Sequence, residues 1–488
     1  MYCQILESKM TRIKQNEIAL RMFKALFVLM LIGAFNVSSA NVRLPNIISS
    51  NMVLQRNSKV KIWGWSNPNE KISLTASWDN KTYRTEGTRD AGWEVLIETP
   101  AAGGPYTISI KGNNSIVLQD ILIGEVWVCS GQSNMEMSGN LGLKEIKSEL
   151  SSAYNQHIRF FHIPKSTAPH PQKKGEGEWA VCDSNSLKSF SAVAYFFGKN
   201  LNNKLDIPIG LVAASWGGTT AEVWTPDSVV NSNEVLKTAA AKIIPSGMCP
   251  YLPGYAYNAM IAPITNYAIA GTIWYQGENN TLTAGTYREL FTSMIDAWRA
   301  AWHKNLPFYY VQIAPYRYAA KNTGALLREA QQRSADHPNT GMVVTTDLVS
   351  NVNDVHPQNK HDVGMRLANW ALAETYHQKG VAYKSPVFKN VSFKGDKAIV
   401  VMDNAENGLM VKGNAVTELF IAGDDQVFYP AQGDIKNNTL TVRSKEVKNP
   451  VAVRYGFTDT ATGNIFSKEN LPAAPFRTDS WPVKTNEK

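Results

Sequence analysis

The stretch "EVWVCSGQSNMEMSGN", Glu125 to Asn140, decides the fold. Three abutting apolar residues, Val126, Trp127 and Val128, run into the small-residue turn Cys129-Ser130-Gly131. Ser133 follows, with Gln132 and Asn134 at its sides. An apolar run that stops at such a turn reads as a buried strand. Two readings of Ser133 compete: a polar loop that closes the strand, or a nucleophile held at the strand end. The rest of the chain decides between them.

Downstream, "IGLVAAS", "IAGTIWYQG", "FYYVQIAP" and "GMVVTTD" are strand-sized and almost continuously apolar. Between them, "YRELFTSMIDAWRAAWHK" and "GMRLANWALAETYH" repeat apolar residues at helical spacing. Continuous apolar strands alternating with helices predict a parallel sheet covered on both faces over residues 118–380. Such sheets place their sites at the carboxyl ends of the strands. Before this region, residues 41–117 alternate as "KVKIWGW", "KISLTASW", "WEVLIETP" and "YTISIKG" with turns between, which predicts a small β-sandwich. After it, residues 381–488 return to β texture with "AIVVMDN", "ELFIAGDD", "TLTVRS" and "VAVRYGF". The expected organisation is α/β, a parallel-sheet domain flanked by N- and C-terminal β-sandwich-like domains.

The strand ends share one feature. Each runs into small or polar residues: Ser133; Gly217 and Gly218 in "SWGGTTAEVW"; Gly277, Glu278 and Asn279 in "WYQGENN"; Asp354 and His356 in "NDVHPQNK". A serine hydroxyl needs a base within hydrogen-bond reach, most often histidine. The histidine needs a carboxylate to orient it. A tetrahedral oxyanion needs preorganised donors, which an asparagine amide and backbone N–H groups at glycine turns supply. Serine, paired glycines, asparagine and an Asp/His pair on one rim fit acyl transfer.

Residues 1–40 read as an export leader. A basic start precedes the apolar "MFKALFVLMLIGAF", and Ser38-Ser39-Ala40 is a small-residue cleavage site, with Met22 as an alternative start. The apolar stretch is too short for a comfortable membrane span, so the mature chain is expected to carry no transmembrane segment and to be periplasmic or secreted. Of the formal +8 charge, Lys9, Arg12, Lys14, Arg21 and Lys24 against Glu7 and Glu17 contribute +3. The remainder is mild and holds no basic run, which argues against nucleic acid as a partner. Cys3 leaves with the leader; Cys182 and Cys249 could bridge in an oxidising compartment, and Cys129 is expected buried. No Cys/His cluster has zinc spacing, so no metal is expected.

The motifs "GQSNMEM", "SWGGTTAEVW", "WYQGENN" and "NDVHPQNK", with "PAAPFRTDSW" near the end, resemble those of the SGNH (GDSL-like) hydrolases, and more closely their sialate O-acetylesterase and carbohydrate acetylesterase branch. The resemblance implies a flavodoxin-like parallel-sheet catalytic domain. By position it implies Ser133 as nucleophile, His356 as base, and the Ser133 N–H, Gly217, Gly218 and Asn279 as oxyanion hole. The wider superfamily often carries its carboxylate three residues before the histidine. Asn353 stands there, so Asp354 takes the role, with Asp347 or a serine–histidine dyad as alternatives.

Gln132, Trp216, Gln276 and Glu278 are the candidate substrate-binding residues. Trp224, Trp274 and Tyr275 could wall a sugar site, and Arg317 or Arg328 could hold a sugar carboxylate. The implied activity is hydrolysis of O-acetyl esters on a glycan through an acetyl-serine, with no cofactor. Sialic acid is the expected substrate and acetylated xylan the alternative. A non-catalytic sugar-binding protein and a serine peptidase are readings from other classes.

Overall fold

The computed structural model describes residues 2–33 and 41–485. The expected cleavage site at Ala40 lies outside them. Tyr2–Gly33 form one helix, and no helix among the described residues is long and apolar enough to cross a membrane.

The central element is β1 (Ser115–Gly131), 17 residues long. From Ile121 onward every residue of it is buried. Its period-2 alternation sends Val126 and Val128 into one core and Trp127 and Cys129 into another, on opposite faces of the sheet. Among the described residues, seven strands, β1 included, form the main path of an eleven-stranded sheet. The others on that path are β2 (Asn155–His162), β3 (Trp179–Cys182), β4 (Ile209–Ser215), β5 (Gly271–Tyr275), β6 (Phe308–Val311) and β7 (Thr340–Val343). Their spatial order is β7-β6-β5-β1-β4-β2-β3. All neighbours are parallel except β3, which runs antiparallel to β2.

Helices cover both faces, as continuous apolar strands require. After the short α1 (Ser133–Glu136), α2 (Ala192–Leu205) and, further on, α5 (His361–Trp370) pack on the Trp127 side. Between them in sequence, α3 (Ala284–Ala301) covers the Val126 side. It buries Tyr287, Leu290, Phe291, Met294, Ile295 and Trp298, a stripe at helical spacing. The helix α4 (Thr323–Arg333) packs beside it.

The first half of β1 belongs to a different arrangement. It pairs antiparallel with Gly103–Lys111 and parallel with Val53–Gln55, and Gly103–Lys111 in turn pairs with Lys71–Ala76. The strands Lys59–Trp65 and Gly92–Glu98 make a separate antiparallel pair. One hydrophobic core runs continuously from Val42 and Trp93 through Ile123 to Trp274. Residue 117 therefore lies inside a strand that both regions share. The C-terminal part has two four-stranded antiparallel sheets, one around Lys397–Asp403 and one around Leu419–Ala422, with a core of their own.

Cys182 and Cys249 are free thiols, not a disulfide. The buried Cys182 donates to the Ala153 carbonyl, and Cys249 donates to the Gly218 carbonyl at 3.1 Å. Burial pushes the Cys182 thiol up to about 12. Cys129 is buried, as its place in the strand requires.

The turn that ends β1 requires glycine. Gly131 has φ +137°, and an added Cβ would stand 2.2 Å from the Tyr275 carbonyl oxygen. Gly131→Ala therefore combines a disallowed φ with a main-chain collision. It should cost about 1–3 kcal/mol or more, read as a lowered urea midpoint or Tm. A variant with wild-type stability would show that the turn is less constrained than this geometry implies.

Candidate active site

The carboxyl ends of β1, β4 and β5 are tied to one another by main-chain bonds. The Gln132 N–H donates to the Tyr275 carbonyl at 2.9 Å, and the Trp216 N–H donates to the Gly131 carbonyl at 3.0 Å. Ser133 follows directly and opens α1. The loop between β7 and α5 delivers His356, whose Nε2 lies 2.8 Å from Ser133 Oγ. Residues 223 positions apart in the chain thus meet at hydrogen-bond distance.

Burial lowers the His356 pKa from its ordinary 6.5. The nearby Lys360 charge lowers it further, and Asp354 opposes both. Asp354 does not reach the ring through a hydrogen bond. Its Oδ1 accepts the main-chain N–H of His356 at 2.9 Å, so it acts on the imidazole through charge. Asp347 is committed elsewhere, to both terminal nitrogens of Arg366 at 2.8 and 2.6 Å. A carboxylate held bidentately by arginine is a structural anchor of its loop.

Gly217 and Gly218 lie beside the serine. A Cβ on Gly217 would stand 3.2 Å from Ser133 Cβ. The Gly217 N–H is already taken, however, by the Glu136 carboxylate at 2.6 Å. That carboxylate also pairs with Lys165 at 2.5 Å. Gly217 therefore does not offer the free oxyanion donor expected of it. Gly218, at φ +79°, and Ser133 carry main-chain N–H groups with no acceptor among the described residues. Asn279 is exposed at the same rim. Its Nδ2 donates to the Gly218 carbonyl at 2.7 Å, and its Oδ1 accepts from Gln132 at 3.3 Å. An amide nitrogen has two hydrogens, so one remains available.

The expected substrate-binding residues divide. Trp216 is half-buried at the rim, with Lys165 Nζ 5.9 Å from its ring centroid. Gln132, Gln276 and Glu278 are buried instead, and their polar atoms serve the scaffold. Gln132 Oε1 accepts the Gly277 N–H, and Gln276 bonds Thr219 and Asn280. Glu278 accepts from Asn134 at 2.6 Å. Trp224 and Trp274 wall no sugar site. They are fully buried and meet edge to face 6.2 Å apart, and Tyr275 is buried with them. Arg328 is fully buried and donates to the Thr458 carbonyl. Arg317 is exposed on the loop between β6 and α4, from which its Nε donates to Asn353 Oδ1 on the histidine loop at 2.9 Å.

Sequence reasoning missed Glu136, Lys165, Asn134 and Lys360. Glu136 and Asn134 stand inside the quoted "GQSNMEM", but as ordinary flanking residues of a serine. Lys360 follows His356 by four residues in a polar stretch that gave no sign of burial. Among the described residues no cluster of His, Cys, Asp and Glu could hold a metal ion.

A serine–histidine pair at the carboxyl rim of a parallel sheet is the layout of a serine-dependent ester hydrolase. Residues 123–373 match the model of the carbohydrate esterase family described as sialic acid-specific acetylesterase. The chain is 28% identical to the sialate O-acetylesterase of Homo sapiens over 461 residues, covering 85% of this chain and 87% of that protein. It is 26% identical to the Mus musculus enzyme over 522 residues, covering 92% and 96%. The crystal structure of a carbohydrate acetylesterase from Xanthomonas citri superposes with a TM-score of 0.82 at 36% identity, covering 90% of this chain and 100% of that one. The chain belongs to the sialic acid-specific acetylesterase family of carbohydrate esterases, and it is a carboxylic ester hydrolase. That removes the non-catalytic and peptidase readings.

The direction of the histidine shift gives a pH prediction. A base works only when neutral, so with His356 in that role kcat/KM should fall as pH drops through its pKa. Because that pKa is lowered in the fold, the acid limb of kcat/KM should lie below the ordinary imidazole value of 6.5. A limb at or above 6.5 would contradict the burial argument.

Proposed function

We propose that the protein is an exported serine esterase that removes O-acetyl groups from carbohydrates, with O-acetylated sialic acid as its principal substrate. The observation that carries this reading is the 2.8 Å contact between Ser133 Oγ and His356 Nε2, with donors beside it. As Oγ attacks the acetyl carbonyl, Nε2 takes its proton. The Ser133 and Gly218 N–H groups and the Asn279 amide receive the oxyanion. The sugar hydroxyl leaves with the proton held by His356, and an acetyl-serine remains. Water, activated by the same imidazole, then releases acetate. Asp354 supports the cycle by favouring the imidazolium through its charge. His356 takes up and returns each proton that moves in the cycle, so the cycle calls for no cofactor.

The substrate assignment rests on the names of the curated relatives. Two exposed or half-exposed cations near the rim, Lys165 and Arg317, suit an acidic sugar. The Xanthomonas citri enzyme is named only as a carbohydrate acetylesterase, a broader class, and acetylated xylan is the alternative substrate. The basic start and apolar run before Ala40 support export.

Acetate release from a panel of O-acetylated sialic acids and acetylated xylo-oligosaccharides tests the assignment. The sialic acids should give the highest kcat/KM, and preference for xylo-oligosaccharides would replace them as substrate. Asn279→Ala should keep the nucleophile but lose about 10²–10³ in kcat. Asp354→Asn should lower kcat strongly, whereas a wild-type kcat would reduce the machinery to a serine–histidine dyad.

A further inference from the structure

Beneath the serine lies a cluster of buried polar groups that the proposed cycle does not use. Asn134, the residue after Ser133, is fully buried and has three partners. Its Nδ2 donates to Glu278 Oε1 at 2.6 Å and to the Val355 carbonyl at 3.0 Å. Its Oδ1 accepts from Lys360 Nζ at 2.6 Å. One amide therefore joins the serine turn, the end of β5 and the main chain beside His356. Lys360 is fully buried, and its Nζ also lies 5.5 Å from the Tyr275 ring centroid. Its own N–H is held by Glu145, from the helix Lys144–Glu149, at 2.8 Å. The Glu278 Oε2 atom is buried with no hydrogen-bond partner.

An isolated buried ammonium or carboxylate is costly, and each is tolerated when the other is near. We propose that Lys360 and Glu278, bridged by the Asn134 amide, form a buried clasp that positions the Ser133 turn against the His356 loop. Lys360 and Glu278 are positioning residues, since neither touches Ser133 Oγ or the imidazole. The inference rests on the esterase reading of Ser133 and His356.

The electrostatics agree in sign. The charged groups facing Lys360 are Glu278, Glu145 and Asp354, and all three favour its ammonium. Desolvation outweighs them and brings its pKa down to about 7. At the pH of the acid limb the ammonium is still charged, and it disfavours a second positive charge on His356. Removing Lys360 removes that repulsion, so the imidazole pKa rises. Replacing Glu278 by an amide acts in the same direction. The ammonium loses its buried anion, gives up its proton at lower pH, and stops opposing imidazolium formation. The glutamine of Glu278→Gln still accepts from Asn134, which keeps the packing.

The test compares the wild type, Lys360→Met and Glu278→Gln by two measurements. One is the pH dependence of inactivation by a serine-directed organophosphate, with the label mapped by mass spectrometry. The other is the Tm. In both variants the acid limb of inactivation should move to higher pH, by about one unit for Lys360→Met, and the plateau rate should fall at least tenfold, on the order of one misplaced positioning contact. Loss of Tm with the limb at its wild-type position would reduce the cluster to a structural role and overturn the proposal. Should Lys360→Met fail to fold, the limb of Glu278→Gln decides alone. Label on a serine other than Ser133 in the wild type would overturn the esterase reading itself, a result distinct from an unmoved limb.

Discussion

The site depends on how β1 ends. Its last carbonyl, on Gly131, accepts the Trp216 N–H, and the next N–H, on Gln132, donates to Tyr275. Two main-chain bonds thus lock the three loops that follow β1, β4 and β5 into one rim. Side chains could not supply this precision, because each would add rotamer freedom between the loops. The bonds form only because Gly131 lets the chain pass the Tyr275 carbonyl with no Cβ between them. Everything else at the site is hung from that junction: Ser133 two residues on, Gly217 against the serine, and Asn279 across from Gln132.

The junction also explains why the first β region is part of the same body. β1 is shared, its first half paired with Gly103–Lys111 and its second half with β4 and β5. The buried Arg159 of β2 reaches back to Asp120 of β1 with two bonds, at 2.8 and 3.0 Å. A strand fixed at both ends in continuous core cannot slide, since a one-residue slip would turn Trp127 and Val128 to the wrong faces. The serine therefore sits at a height set by the whole sheet. The histidine approaches from a loop, and its place is held by contacts to the Asp354 carboxylate and through Asn134.

Much of this was legible in the sequence because strand ends have a chemistry of their own. Apolar runs that break at Gly131 and Gly277 marked two rim positions, and both glycines have positive φ, +137° and +153°. The pairing of Ser133 with His356 followed from residue types at successive strand ends. Aromatic residues were less informative. Trp224 and Trp274 flank the motifs yet fill the core, because a buried tryptophan and a sugar platform have the same side chain and differ only in what covers them. Glu278 and Gln276 stand in a motif of polar residues, but their partners Asn134, Thr219 and Asn280 come from other parts of the chain. Glu136 closing on the Gly217 N–H is likewise a contact between two motifs, invisible in either one. The separation of residues in sequence hides such bonds, and the shift of Lys360 into the interior leaves no periodic trace.

The central claim is that the ester is opened by Ser133 with transfer of the acetyl group to its oxygen. The most direct measurement is peptide mass mapping of the enzyme after rapid acid quench during turnover of an activated acetyl ester. The account predicts an acetyl adduct on the peptide that carries Ser133 and no acetate release by Ser133→Ala. An adduct on a different residue, or acetate released by Ser133→Ala at the wild-type rate, would contradict it.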